Sequence, residues 1–351
     1  MSAKWEAALD RWAKAGLVDA PQADRIRQWE QTQRRGEGTN KLAAIAFSFG
    51  ALLLIAGLLL FVSAHWEAMS PAARFGLVLG MVAVFHLAGA LCGSRSPRLA
   101  TALHAAGTGT LGGGIYLAGQ IFNMAEHWPG AIMLWAVGAA LALALLRDWP
   151  HVLWLAVLVP TWLWGEWLED VVWSGSRWQN AAPIVGTVLL AFAYLGAQAR
   201  DDDAIWRRSL SRLGAITLVP ACIILGMVDS GWGIRSAPEG GSTALLLISW
   251  IVALALPCLV AYCLRGRGAI LLLLPAVWSL VVTQFHWGSN GDEAALYALY
   301  ALAAIGLAVW GVRAQRAMLI NLAVFGFALT VLGFYFSSFL DKLDRSMSLL
   351  L

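Results

Sequence analysis

An all-α, polytopic transmembrane helix bundle is the fold class that this sequence predicts. Three observations predict it. The 351 residues are 60% hydrophobic and 13% charged, with a mean hydropathy of +0.69. A typical soluble domain is about 45–50% apolar and about 25% charged. The apolar residues fall into long runs, most of them near the ~20 residues that cross a bilayer as a helix. Lys and Arg collect on alternate connections between those runs, as cytoplasmic loops do. The 19 tryptophans fit this setting, because Trp gathers at membrane–water interfaces. A net charge of +3 is too small to indicate a nucleic-acid partner.

Residues 1–42 are polar and amphipathic, with no cleavable signal peptide. Trp5, Ala8, Leu9, Trp12 and Ala13 recur at helical spacing. Gly16 ends that helix, and Leu17 and Val18 form a bend. Asp19 followed by Gln22 is a capping-box-like start for a second helix, with Pro21 in its first turn and Ile26 and Trp29 on its apolar face. The result is a short cytoplasmic helical hairpin, too small to be very stable alone. It therefore packs on a protein partner, on another copy through residues 1–30, or on the membrane surface.

Eleven apolar segments follow, at about 43–64, 73–92, 99–123, 130–146, 151–168, 181–199, 213–229, 242–264, 269–285, 294–312 and 318–339. Together they make a transmembrane bundle over residues 43–339 in the cytoplasmic (inner) membrane. The weakest are 130–146, 151–168 and 213–229. Placing the amino-terminal region inside puts nineteen of the 24 Lys and Arg residues on the cytoplasmic side. Only Arg74, Arg177, Arg235, Lys342 and Arg345 then lie outside. Residues 340–351 read equally as a short hydrophobic tail or as the start of a further helix. In the second case the chain continues into a twelfth span.

Several motifs occur in a fixed order. Trp12-x-x-x-Gly16-Leu17-Val18 and Ile26-x-x-Trp29 precede a first span ending Phe61-Val-Ser-Ala-His-Trp-Glu67. Gly113-Gly-Ile-Tyr-Leu-Ala-Gly-Gln-Ile-Phe-Asn123 comes next, then Leu134-Trp135. This order resembles the bacterial membrane-protein family catalogued as domain of unknown function 2157, most clearly over residues 1–150. The resemblance implies a membrane protein and supplies no activity.

Residues 107–123 are the most informative stretch, with six glycines and two side-chain amides in an otherwise apolar span. Gly107-Thr-Gly109-Thr-Leu-Gly112 matches a dinucleotide fingerprint but lacks the preceding strand and the later acid that such a site needs. Two readings remain. Ala105, Gly109 and Gly113, spaced by four, form a small-residue face for close helix packing. Alternatively the helix breaks at Gly112, Gly113 and Gly114, exposing backbone groups to a solute or ion, with Gln120 and Asn123 at the outer mouth. Pro160, Pro220, Pro257 and Pro275 lie inside other spans and fit kinks of either kind.

His86 and His104 lie on consecutive segments, each roughly 8–9 Å below the inner surface at 1.5 Å per residue. They either share a proton or hydrogen bond or are separately satisfied. A His-Trp pair recurs at His65, His127 and His286, all on the outer side. Interfacial anchoring explains these pairs, and a weak metal site formed with Glu67 is the sharper alternative. Glu166, an acid near the outer end of its span, joins the substrate-pathway candidates. The four cysteines have no metal-ligand or disulfide spacing. No cofactor motif or catalytic cluster is present, so no enzymatic role is expected. The sequence thus points to a transporter or sensor of a small solute or ion centred on the third span. The alternative is a scaffold whose amino-terminal hairpin holds a partner.

Overall fold

A computed structural model describes residues 3–29, 69–122, 127–170, 177–198, 204–227, 243–285 and 292–336. Among these residues every regular element is helical. The chain divides into two units, Met1–Arg74 and Phe75–Leu351.

In the first unit, α1 (Ala3–Lys14) and α2 (residues 20–29) form the expected hairpin. Gly16 takes a left-handed φ of +68°, a conformation that favours a residue without Cβ. The chain then turns as the Leu17 amide bonds back to the Trp12 carbonyl at 3.0 Å. The Gln22 side chain accepts from the Asp19 amide at 3.2 Å, which is the reciprocal half of a capping box. Arg27 ties the two helices, reaching Asp10 at 2.7 Å and Asp24 at 2.8 Å. Leu9 and Ala23 are buried, whereas Trp12, Leu17 and Trp29 are exposed.

The second unit is a sequence of long apolar helices: α3 (Pro71–Cys92), α4 (Pro97–Phe122), α5 (Trp128–Leu146), α6 (Trp149–Asp170), α7 (Arg177–Leu195), α8 (Ile205–Met227) and α9 (Thr243–Arg265). A 3₁₀ segment (Gly266–Leu272) leads into α10 (Leu273–Val282), and α11 (Asp292–Arg313) and α12 (Ala317–Phe334) complete it. Each segment predicted between 73 and 339 coincides with one of these elements. The three weakest segments, now α5, α6 and α8, are helices of 19, 22 and 23 residues. The segment at 43–64 and the tail at 340–351 lie outside the described residues.

Among the described residues six stretches combine the length and hydropathy of a membrane span: α3, α5, α8, Leu247–Val282, Glu293–Arg313 and α12. The eleven-span count is thus not reached on these criteria. Helices α4 and α6 fall short, and their own residues explain it. Gly and Thr dilute α4, and Glu166, Glu169 and Asp170 load the end of α6. The described apolar stretch of α7 is Ala181–Leu195. Leu247–Val282 counts once although its 36 residues, as a straight helix, would extend about 54 Å. It is not straight, because Gly266 adopts a φ of +57° directly after α9. The apolar surfaces that α3, α5, α10 and α11 leave exposed, such as Leu87, Leu145, Leu274 and Val312, imply a surrounding lipid bilayer.

Helix α7 is the centre of the packing. Val185, Val188, Leu189, Ala193 and Leu195 are all buried in the largest apolar cluster, against residues of α8, α9 and α10. Its carboxyl end is closed by arginine. Arg316 donates to the Leu195 carbonyl at 2.8 Å and to Ser211 Oγ at 2.5 Å. Arg265 donates to the Gly196 carbonyl at 2.8 Å and lies 4.9 Å over the Trp310 ring. Arg207 donates to the carbonyls of Ala197 and Leu264, both at 3.0 Å. Helix carboxyl ends expose unpaired carbonyls and carry partial negative charge, so guanidinium groups satisfy both at once.

Of the prolines expected to kink spans, Pro160, Pro220 and Pro257 are inside α6, α8 and α9. Pro275 instead occupies the first turn of α10, directly after the 3₁₀ segment. Pro183 in α7 is a further helix-internal proline. Pro160 frees the Ala156 carbonyl, which accepts from the Tyr194 hydroxyl at 2.9 Å.

Candidate functional site

Helix α4 runs unbroken from Pro97 to Phe122, through Gly112–Gly114. The broken-helix reading is therefore corrected: the glycines pack, and they do so on more than one side. A Cβ at Gly107 would strike His86, one at Gly114 would meet Val78, and one at Gly112 would enter the Trp135 ring. Gly109 faces Trp154 at 3.2 Å. Gly113 faces open space and is exposed, so the face expected from Ala105, Gly109 and Gly113 is also corrected. Adjacent residues on a helix are turned by 100°, so Gly112 and Gly114 point to α5 and α3 while Gly113 points away. Trp135 and Trp154 lock this arrangement. Their Nε1 atoms donate to the α4 carbonyls of Thr108 at 2.8 Å and Ala105 at 3.3 Å, and their rings lie 4.9 Å apart. Gln120 is exposed on the last turns of α4, and Asn123 lies outside the described residues.

The close approach of α3 and α4 joins the two histidines. His86 Nδ1 and His104 Nδ1 are 3.1 Å apart, with ring centroids at 5.4 Å. Gly89 and Gly107 make room, since a Cβ at either would lie 2.8 Å from the opposing imidazole. One ring must donate and the other accept, so the pair holds a single shared proton along this contact. His104 is 7% exposed.

One turn further, Thr108 Oγ1 lies 3.2 Å from the His104 carbonyl and 3.0 Å from His151 Nε2. With the His151 proton on Nε2 the imidazole donates to Oγ1 and the hydroxyl donates to the His104 carbonyl; with the proton on Nδ1 the carbonyl and Nε2 compete for the hydroxyl's one proton. His151, in the first turn of α6, is 0% exposed, and its Nδ1 has no hydrogen-bond partner. Sequence reading had passed over His151. Its only signal was an imidazole at the start of an apolar segment on the same predicted side as His86 and His104.

The opposite end of α6 carries a second titratable group. Trp128 and Pro129 at the start of α5 lie against Gly165, where a Cβ would be 2.8 Å and 3.0 Å from them. This contact sets His127 beside α6. His127 Nε2 meets Glu166 Oε2 at 2.8 Å, and its Nδ1 bonds Glu169. Trp162 Nε1 donates to Glu166 Oε1 at 2.6 Å. His127 is thus paired with Glu166 and Glu169. His65 and His286, the other members of the expected metal set, lie outside the described residues. Among the described residues no three His, Cys, Asp or Glu side chains could hold a metal ion.

Desolvation works against charging His127, but the hydrogen bonds to Glu169 and Glu166 outweigh it and raise its pKa above the ordinary value of 6.5. The stabilisation is therefore complete below pH 6.5 and is lost as pH rises through the raised value. A small fall in thermal midpoint above neutral pH is expected, small because His127 is half exposed. His127→Gln should flatten that dependence in a thermal melt across pH 6 to 9.

A cavity of about 200 Å³ lies beside Glu166, between α6, α7 and α9. Three helix-internal prolines, Pro160, Pro183 and Pro257, line it. Helices α7 and α9 touch at Gly186, where a Cβ would be 3.0 Å from Ala253 Cα. Of the pathway candidates read from the sequence, Glu166 borders this cavity, and the glycines Gly112–Gly114 do not.

No curated protein and no solved structure matches the chain. Residues 10–152 match the family model described as Predicted membrane protein (DUF2157). That region holds the hairpin's second half, the glycine-rich helix α4 and the histidines His86, His104 and His151, the last two of them buried, and its family is the one that the ordered motifs had indicated.

Proposed function

We propose that this is an eleven-span protein of the bacterial cytoplasmic membrane, amino terminus inside, that moves or senses a small solute or ion. No enzymatic step belongs to this reading. The observation that carries it is the His86–His104 contact, with buried His151 one turn away. Ionisable groups within spans are costly and are retained where they handle ions or protons. The span count is supported by the left-handed Gly266 that divides Leu247–Val282, and by the lengths of α4 and α6, 26 and 22 residues.

Reconstituted protein, assayed with a trapped pH-sensitive dye, tests the reading. His86→Gln and His104→Gln should each lower proton-linked flux at least tenfold while thermal midpoint and yield hold. Wild-type flux in both variants would sink the role of the pair.

The scaffold reading is favoured by one observation, the exposed Trp12, Leu17 and Trp29 on the hairpin. Deleting residues 1–38 separates the two. Loss of a copurifying protein with flux absent throughout supports the scaffold, and retained flux supports transport.

A further inference from the structure

We propose that the cavity between α6, α7 and α9 binds a small monovalent organic cation with an apolar body, its charge balanced at Glu166. The inference rests on the transport-or-sensing reading for its purpose, but its site is argued independently.

The walls come first. Pro160 and Leu163 of α6, Pro183 of α7, and Ile248 and Val252 of α9 make the lining predominantly apolar. Trp164 and Trp167 add an edge-to-face pair with centroids 5.8 Å apart. Thr187 and Ser249 also line the cavity with hydroxyls. The Thr187 hydroxyl is already used: it accepts from Trp164 Nε1 at 2.7 Å and donates to the Pro183 carbonyl at 2.8 Å. Glu166 is the one charged residue among those lining it.

Charge then selects the ligand. Glu166, Glu169 and His127 form one bonded group with two carboxylates and one imidazole. With His127 protonated the group still carries one net negative charge. An anion would be repelled, and a neutral solute would leave that charge uncompensated at an apolar wall. A hard metal cation needs several converging oxygens, and the lining offers one carboxylate and two hydroxyls. A cation whose charge is spread over an apolar body loses little on leaving water, and it finds indole faces suited to cation–π contact. The volume, about 200 Å³, sets a ligand smaller than a typical drug. Glu166 is one-third exposed, so it stands at the rim, where a ligand enters.

The test uses the full chain in detergent and three probes of one-ring size: benzyltrimethylammonium, neutral benzyl alcohol and benzenesulfonate. Titration followed by calorimetry should show saturable binding of the cation alone. Glu166→Gln should weaken it at least tenfold. Because that change also removes an acceptor from His127 and Trp162, a second variant keeps the group intact. Val252→Phe fills the cavity from α9 and should abolish cation binding. No binding by the wild type, or wild-type affinity in folded Val252→Phe, overturns the proposal. Equal affinity for benzyl alcohol also overturns it. Cation binding without any flux upholds the site and counts against transport. Flux that persists in Val252→Phe, with no cation binding by wild type, overturns the site and leaves the transport reading standing.

Discussion

Replacing Gly214 with valine should remove most folded protein from the membrane, the largest loss expected from any single substitution here. Gly214 lies on α8 at its crossing with α7. A Cβ there would be 2.5 Å from the Ala191 carbonyl oxygen and 2.7 Å from the Leu195 nitrogen, with Tyr194 Cβ at 3.0 Å. The first two are backbone atoms of a buried helix, so no rotamer change relieves the collision. The helices must separate, and separation pulls on Ser211 Oγ, which donates to the Leu195 carbonyl at 3.0 Å, and on Arg316, which holds both residues. Overpacking of a core costs about 1–3 kcal/mol where side chains can adjust, and here they cannot, so the upper end is the floor. Alanine should destabilise in the same direction by less. Fluorescence-detected size exclusion and the thermal midpoint of detergent-extracted protein would show it. A monodisperse Gly214→Val protein with the wild-type midpoint would contradict this account of the α7–α8 contact.

Gly112→Val and Gly113→Val, neighbours in sequence, should differ sharply. At Gly112 the new side chain displaces the Trp135 ring, breaking its bond to the Thr108 carbonyl and its contact with Trp154. The loss is about 1–3 kcal/mol of packing plus about 0.5–1.5 kcal/mol for the hydrogen bond. At Gly113 a Cβ meets nothing within 4 Å, and the side chain enters open, apolar surroundings. Little change is expected there, or a small gain from removing a helix-interior glycine. Melting both variants beside the wild type decides the matter. Equal midpoints would show that the glycine run is not divided between faces as described.

The apolar segments at 73–92, 130–146 and 318–339 were legible because each rests on about twenty consecutive residues, and hydropathy over such a length needs no knowledge of neighbours. The hairpin was legible for a related reason: Gly16, Asp19 and Gln22 act on backbone within a few residues of themselves. The site was legible only in part. His86 and His104 were paired by reasoning about a short connection between antiparallel helices, which fixes depth but not rotation about the helix axis. Rotation decided that the imidazoles meet, that Gly112 is filled by Trp135, and that Gly113 is not part of the packed face. Pairings across long separations were out of reach, since Glu169 meets His127 over 42 residues and Thr108 meets His151 over 43.

Sequence by itself determined the environment and the elements: an apolar, charge-poor chain, its helices, their capping turns, and a membrane family for residues 10–152. These follow from local chemistry, namely the hydropathy of each run and the conformational freedom of particular glycines. Tertiary structure decided which imidazoles meet, which glycines lie against a neighbouring helix, and that Glu166 joins His127 and Glu169 at the edge of an apolar cavity. Those depend on how helices rotate and cross, and that is set by steric fit summed over many residues far apart in the chain. Gly112 and Gly113, identical as residues, show the difference most directly: one is filled by an indole and the other faces outward.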